Sequence, residues 1–316
     1  MSYTLSDFDY KLPSELIAQK PLHPRDQSRL LVLNKKDGAI SHRHFYNLPE
    51  FLKPGDVLVI NNSKVFPARL IGTKDLTGGR VEIFLHRKIK GNIWECLVGG
   101  KVKVGSKINF FDKLGKAKEK NQNEASAKSI GSIGTKNQAQ LQATLIKNNS
   151  VKLQATLIKN NQDGTWQVKF NLSGLKFNQV VQEIGEVPLP PYIKRIKPLA
   201  SDRNTYQTIY AAEKKLGSVA APTAGLHFTK DLLKKIKASG VEVLEVTLNV
   251  GLGTFAPVKT EKIKDHRMHS ESVQIKKEVL KKIIRAKQDG RRIIAVGTTT
   301  CRTLESWGQS LKQKKV

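Results

Sequence analysis

Cysteine is nearly absent: Cys96 and Cys301 stand far apart among 316 residues, with no CxxC spacing. That excludes a disulfide-stapled scaffold and a cysteine-rich zinc module. No apolar run reaches the roughly 18 residues of a membrane-spanning helix. The opening MSYTLSDFDY carries acids where a secretory signal has basic residues ahead of an apolar core, so a soluble cytoplasmic protein is expected. There is no Walker lysine loop and no HExxH. GLGTF lacks the third glycine of a dinucleotide fingerprint, and no acidic residue follows at a suitable strand end. Acidic residues are also scarce: 27 Asp and Glu face 55 Lys and Arg, a formal charge of +28. Such an imbalance points to an anionic partner, most often nucleic acid, with a lysine-biased proteome as the plain alternative.

What is present is an ordinary globular mixture, 39% hydrophobic and 26% charged, long enough for two domains. Residues 1–66 are nearly neutral, with nine basic and seven acidic side chains, whereas residues 67–172 carry nineteen against seven. That middle segment also changes texture. ARLIGTK, GGRVEIFLHRK, NIWECLVGGKV, SKINFF, QATLIKNN and GTWQVKFN are short β-rich runs broken by Gly and Asn, which predicts a small barrel. Within it, residues 113–140 offer almost nothing to bury and read as a flexible surface loop. LQATLIKNN at 141–149 recurs at 153–161, a local duplication rather than a solenoid.

The flanking segments alternate strand and helix. DVLVI is a buried strand, TKDLLKKIKASG an amphipathic helix capped by Thr229 and stopped by Gly240, VEVLEVTLNV a strand, KKEVLKKIIRAKQDG a second helix and RRIIAVG a further strand. The predicted class is α/β: a mixed, largely parallel sheet domain formed by residues 1–66 and 173–316, with an inserted all-β barrel domain at 67–172.

Four apolar runs end in small polar residues: DVLVINNSKVF, SVAAPTAGLHF, VTLNVGLGTF and IIAVGTTTCRTLES. Ligands of open α/β sheets bind beyond the carboxyl ends of strands, where amides and hydroxyls are free. Ordinary turns capped by threonine are the competing account of each. His227 lies between a glycine turn and a helix start, where an imidazole can exchange protons near neutral pH or merely hydrogen-bond the turn. His266 and His269 fit one side of a helical turn but lack further ligands, so no metal is expected. Asp202, Arg203, Tyr206 and Gln207 form a polar cluster.

NNSKVFPARL, GEVPLPPYIKR, DRNTYQTIYA, APTAGLHF, GLGTF, MHSE and VGTTTCRTLES, in that order, resemble the bacterial S-adenosylmethionine:tRNA ribosyltransferase-isomerases of queuosine biosynthesis. The resemblance runs from YTLSDFDYKLPSELIAQKPL to about Ser306 and implies an α/β domain with an inserted barrel. It implies transfer and isomerisation of the ribosyl group of S-adenosylmethionine onto 7-aminomethyl-7-deazaguanine at the tRNA wobble position. Epoxyqueuosine, adenine and methionine are the products. S-adenosylmethionine is then a co-substrate, no cofactor is tightly bound, and the chain is a monomer without membrane contact.

Such chemistry asks for acid–base groups and a cradle for a zwitterion. His227, then His269 and Asp202, suit proton transfer. Thr223, Gly225, Gly251, Gly253, Thr254, Thr298, Thr299, Thr300 and Arg302 suit S-adenosylmethionine, and Lys64, Arg69 and Arg195 suit RNA. Alternatives are a basic tRNA-binding protein without catalysis and an S-adenosylmethionine-dependent RNA methyltransferase, the latter lacking its glycine fingerprint. The family pattern continues past TLES with a strand region and a TNFHLP-like segment. Its absence from these 316 residues implies an uncovered sheet edge, marginal stability and little activity.

Overall fold

The computed structural model describes residues 3–111, 151–195, 199–255, 258, 260–266 and 268–313. The expected loop 113–140 and the first repeat copy lie outside the described residues.

The chain forms two compact units, residues 1–66 with 189–316 and residues 67–188. In the first, β1 (Arg29–Leu33) and β2 (Ile40–His44) make a hairpin, followed by β3 (Val57–Asn61) and the short β4 (Lys64–Val65). The second unit holds β5 (Arg69–Lys74), β6 (Arg80–Lys90), β7 (Ile93–Gly99), β8 (Lys107–Phe111), β9 (Val151–Asn160), β10 (Thr165–Phe170) and helix α1 (Gly174–Ile184). Back in the first unit come β11 (Leu216–Ser218), α2 (Lys230–Ala238), β12 (Glu242–Asn249), β13 (Ser272–Gln274), α3 (Lys277–Gln288), β14 (Ile293–Ala295) and α4 (Gly297–Gln313).

The second unit is a closed antiparallel barrel in the order β10-β7-β6-β5-β8-β9. Period-two alternation sends Val81, Ile83 and Leu85 of β6 and Leu153, Ala155 and Leu157 of β9 inward, all at most 1% exposed. Gly72 admits the Phe110 ring, because a Cβ there would sit 2.6 Å from the Asn109 carbonyl oxygen and 2.8 Å from Phe110 Cδ1. Helix α1 belongs to this unit. Phe177 packs with its ring centroid 4.9 Å from Phe170 and 5.3 Å from Trp94, so residues 173–188 go with the barrel and the expected boundary near 172 moves. The second repeat copy is β9 itself.

The first unit is organised by a sheet in the order β13-β12-β3-β14, with β3 parallel to both β12 and β14 and β13 antiparallel to β12. All of β3 is buried, as a continuous apolar run in a parallel sheet should be. On one face Val57 and Val59 meet Leu244, Val246, Ile283 and Ala286, backed by Leu304 and Trp307. On the other, Leu58 and Ile60 meet Phe228, Leu232 and Ile236. The chain is therefore mixed α/β with a largely parallel sheet and a closed barrel. Thr229 caps α2 by accepting the Leu232 N–H at 3.2 Å, and Gly240 ends it at φ +82°. Two local expectations change. Of the SVAAP run only Ser218 is strand, and GTTTCRTLES is the start of a 17-residue helix rather than a turn.

Asp56 starts β3. Its carboxylate, 5% exposed, accepts Arg292 Nε at 2.8 Å, Arg292 Nη2, and the Lys53 N–H at 2.7 Å. The Arg292 hydrogen bonds hold its pKa below the usual aspartate value. A depressed carboxylate stabilises fully above the unfolded pKa of about 3.9, and the contribution disappears as pH falls through the folded value. Asp56→Asn should therefore lower urea-unfolding stability at pH 7 by roughly 1–3 kcal/mol. Denaturation repeated below pH 4 should show that difference from wild type shrinking.

Candidate active site

Two cavities lie within the first unit. The first, ≈ 820 Å³, is bounded by Pro190, Tyr192, Tyr206, Ala220–Ala224, Val250, Thr254, Met268, Glu271, Gly297–Thr299 and Arg302. The second, ≈ 540 Å³, is bounded among others by Lys20, Arg25, Arg29, Arg195, Asp202 and His227. Pro190, Tyr192, Tyr206 and Thr223 belong to both walls, so the spaces adjoin.

The first cavity gathers three of the four strand ends singled out in the sequence. Val250 follows β12, Ala220–Thr223 follows β11, and Gly297–Thr299 opens α4 straight after β14. The fourth, NNS after β3, lines neither cavity; it fastens β3 to β12. Asn61 Nδ2 donates to Leu248 O at 3.1 Å while its Oδ1 accepts the Leu248 N–H at 3.0 Å. Asn62 donates to Glu245 at 2.9 Å and accepts from Thr247 Oγ1 at 2.7 Å.

Of the residues expected to meet S-adenosylmethionine, Thr223, Thr254, Thr298, Thr299 and Arg302 share this first wall. Gly251 stands behind it, donating its N–H to Glu271 at 3.0 Å. The others serve packing. A Cβ on Gly225 would fall 2.0 Å from the Tyr210 hydroxyl, and one on Gly253 2.3 Å from His269 Cδ2. Thr300 is fully buried and absent from either wall. Arg302 is engaged with Glu271, whose side chain is 9% exposed, and donates to the His269 carbonyl. It is a brace for the wall more than an open anion receptor.

The proton-transfer candidates separate. His227 lines the second cavity. Its Nδ1 lies 3.1 Å from Ala224 O and its ring 5.2 Å from Phe45, so the backbone contact favours a proton on Nδ1 and leaves Nε2 as the basic nitrogen. His269 lines neither cavity, and the short helical turn among the described residues there, Ile263–Asp265, ends before His266. Asp202 reaches the second wall but is paired with Arg195 at 3.2 Å and also accepts the Leu199 N–H, so it is a braced anion rather than an open base.

The expected RNA contacts are likewise engaged. Lys64 pairs with Glu213, and Arg195 with Asp202. In the barrel unit Arg69 bonds Glu82 at 2.8 Å and Glu186 at 3.3 Å. The Glu82 hydrogen bond raises the guanidinium pKa, and Glu82 is lowered in return.

Sequence reasoning assigned no role to Glu271, Tyr192 or Arg25, although MHSE and LPPYIKR held the first two. Arg25 reaches the carbonyls of Gln207, Asn204, Thr205 and Leu226. Burial pushes the Tyr206 hydroxyl's pKa upward, so it remains protonated at neutral pH. Among the described residues no helix is long and apolar enough to cross a membrane.

Residues 5–316 match the family model described as queuosine biosynthesis protein. The S-adenosylmethionine:tRNA ribosyltransferase-isomerase of Thermosipho melanesiensis is 45% identical over 304 residues, 96% of this chain and 76% of that protein. The enzymes of that name from Desulfitobacterium hafniense and Halothermothrix orenii are each 43% identical with the same coverage. A crystal structure of S-adenosylmethionine tRNA ribosyltransferase from Thermotoga maritima is 32% identical, with 96% of this chain and 73% of that one covered at a TM-score of 0.39. By the extent of the family-model match and of the three curated relatives, this chain belongs to the queuosine biosynthesis protein family, and those relatives are S-adenosylmethionine:tRNA ribosyltransferase-isomerases.

Proposed function

We propose that the chain transfers the ribosyl group of S-adenosylmethionine to the aminomethyl group of 7-aminomethyl-7-deazaguanine at the tRNA wobble position and isomerises it. Epoxyqueuosine, adenine and methionine are the products. The observation that carries this reading is the pair of adjoining cavities with unlike walls, because a group transfer needs two substrates side by side.

The first cavity suits S-adenosylmethionine as co-substrate. Its alanines, prolines and tyrosines offer an apolar bed for adenine, and the start of α4 offers backbone N–H groups to a carboxylate. Glu271, closed onto Arg302, cancels that cation, so the sulfonium would meet no net positive charge on this wall. The second wall suits the nucleotide: Lys20, Arg25, Arg29 and Arg195 outnumber Asp202, which favours a phosphate-bearing ligand. His227 Nε2 would take the proton that the amine must lose before attacking, or return one to departing adenine. Tyr206, protonated and shared by both walls, would hold a hydrogen bond where the substrates meet.

Mass spectrometry of tRNA after incubation with S-adenosylmethionine tests the reading. Epoxyqueuosine is expected; unchanged tRNA would favour a binding protein, and a gain of one methyl group a methyltransferase. His227→Ala should cut turnover by roughly 10²–10⁴ while S-adenosylmethionine still binds. Near-normal turnover would reduce His227 to a turn residue. Glu271→Gln should weaken S-adenosylmethionine roughly 10- to 100-fold, the scale of a charged hydrogen bond, and leave tRNA affinity unchanged. Calorimetry with each substrate separates the two effects.

A further inference from the structure

Arg29 belongs both to the wall of the second cavity and to the first position of β1, where it pairs directly with His44 at the end of β2. Beyond His44 the chain turns into the short helical segment Phe45–Phe51. Phe45 points inward: its ring lies 4.9 Å from Phe228 and 5.2 Å from His227, and its N–H donates to Ser28 O at 2.8 Å. The residues on either side point outward. The His44 and Tyr46 rings stack 5.2 Å apart and within 4° of parallel, with Tyr46 still 44% exposed. Tyr46 Oη lies 3.3 Å from His44 Nδ1, and the His44 N–H is held by Asn47 Oδ1 at 3.1 Å.

Two flat side chains are thus pre-stacked on the surface, anchored through Phe45 to the cavity histidine and joined through Arg29 to a cationic wall. Solvent-exposed aromatic rings do not gain from burial where they stand, but a nucleobase offers a π-face to any such platform. The surroundings suit an RNA strand: residues 29–46 hold Arg29, Lys35, Lys36 and Arg43 against the single acid Asp37. That acid is tied into its own turn by Asn34 and the Ala39 N–H.

We infer that Arg29, His44 and Tyr46 form a stacking and phosphate site for a nucleotide flanking the modified one, so that the hairpin holds the RNA while the second cavity holds the reacting base. This rests on the proposed tRNA substrate. The aliphatic half of the same hairpin face, Leu31, Leu33 and Ile40, is also exposed and would be the surface used by a second copy of the chain. The cationic, aromatic end beside the cavity favours RNA.

The test compares binding of the tRNA anticodon stem-loop to the full chain and to Tyr46→Ala, Tyr46→Phe, His44→Ala and Arg29→Ala. Tyr46→Ala should weaken binding roughly 5- to 100-fold with an unchanged salt slope, because stacking releases no counterions. Tyr46→Phe should bind as wild type does. Arg29→Ala should reduce the slope of log affinity against log salt by about one. S-adenosylmethionine affinity should be the same in Tyr46→Ala, Tyr46→Phe and His44→Ala. Wild-type affinity in both Tyr46→Ala and His44→Ala would overturn the site while leaving the proposed function standing. So would loss of self-association in place of RNA affinity. Failure of the wild-type chain itself to bind the stem-loop would remove the tRNA reading, and this site with it.

Discussion

Asn61 and Asn62 close the end of β3 onto β12 with side-chain amides, and the geometry of the first cavity depends on that closure. Asn61 gives and takes a hydrogen bond at Leu248, while its Oδ1 also accepts the Ser63 N–H at 3.1 Å. Both amides are buried, so leaving either unpaired would cost about 1–3 kcal/mol. Their bonds fix where β12 ends. At the residue just after β12 the Val250 N–H meets Ser218 Oγ at 3.0 Å, and the next N–H, of Gly251, meets Glu271. Glu271 holds Arg302, and Arg302 holds the His269 carbonyl. A line of polar contacts thus runs from β3 to the second turn of α4, joining segments far apart in the chain.

The same line explains why the two cavities differ in charge. Arg302 lines the first, but Glu271 meets it at once, so that wall contains a closed ion pair in an otherwise uncharged lining. In the second, Asp202 answers Arg195, whereas Arg25 is met by peptide carbonyls, which satisfy its N–H groups without cancelling its charge. Burial accordingly lowers the Arg25 pKa, the signature of a cation drawn out of water. That surplus of positive charge in one cavity and not the other is the electrostatic difference on which the proposed assignment of the two substrates rests.

The architecture was legible where local rules suffice. Short β-rich runs broken by Gly and Asn exposed the barrel strands, an amphipathic pattern exposed α2 and α3, and Thr229 and Gly240 marked the ends of α2. The site was legible only as segments. APTAG and VGTTT do meet at one cavity, yet no periodicity shows that Tyr210 fills the space above Gly225 or that Thr300 faces inward. Arg69, Arg195 and Asp202 had the right chemistry for their expected roles. Their partners, Glu82, Glu186 and one another, come from the folded arrangement. Glu271 was missed for the opposite reason. In MHSE it is one acid among many, and it becomes singular only when folding buries it beside Gly251 and Arg302.

Arg69 also shows how a barrel can interrupt the α/β chain. Its N–H donates to Glu186 O at 3.2 Å and its carbonyl accepts the Glu186 N–H at 2.8 Å, so the strand that enters the barrel pairs with the segment that leaves it. The side chains repeat the tie at 3.3 Å. Gly185 is what permits this approach, since a Cβ there would lie 2.2 Å from the Pro67 carbonyl oxygen. Entry and exit of the 122-residue insertion between Phe66 and Leu189 are thereby bonded side by side within the barrel unit itself. Among the described residues β8 and β9 are likewise antiparallel neighbours, so the two strands on either side of residues 112–150 are bonded directly to one another.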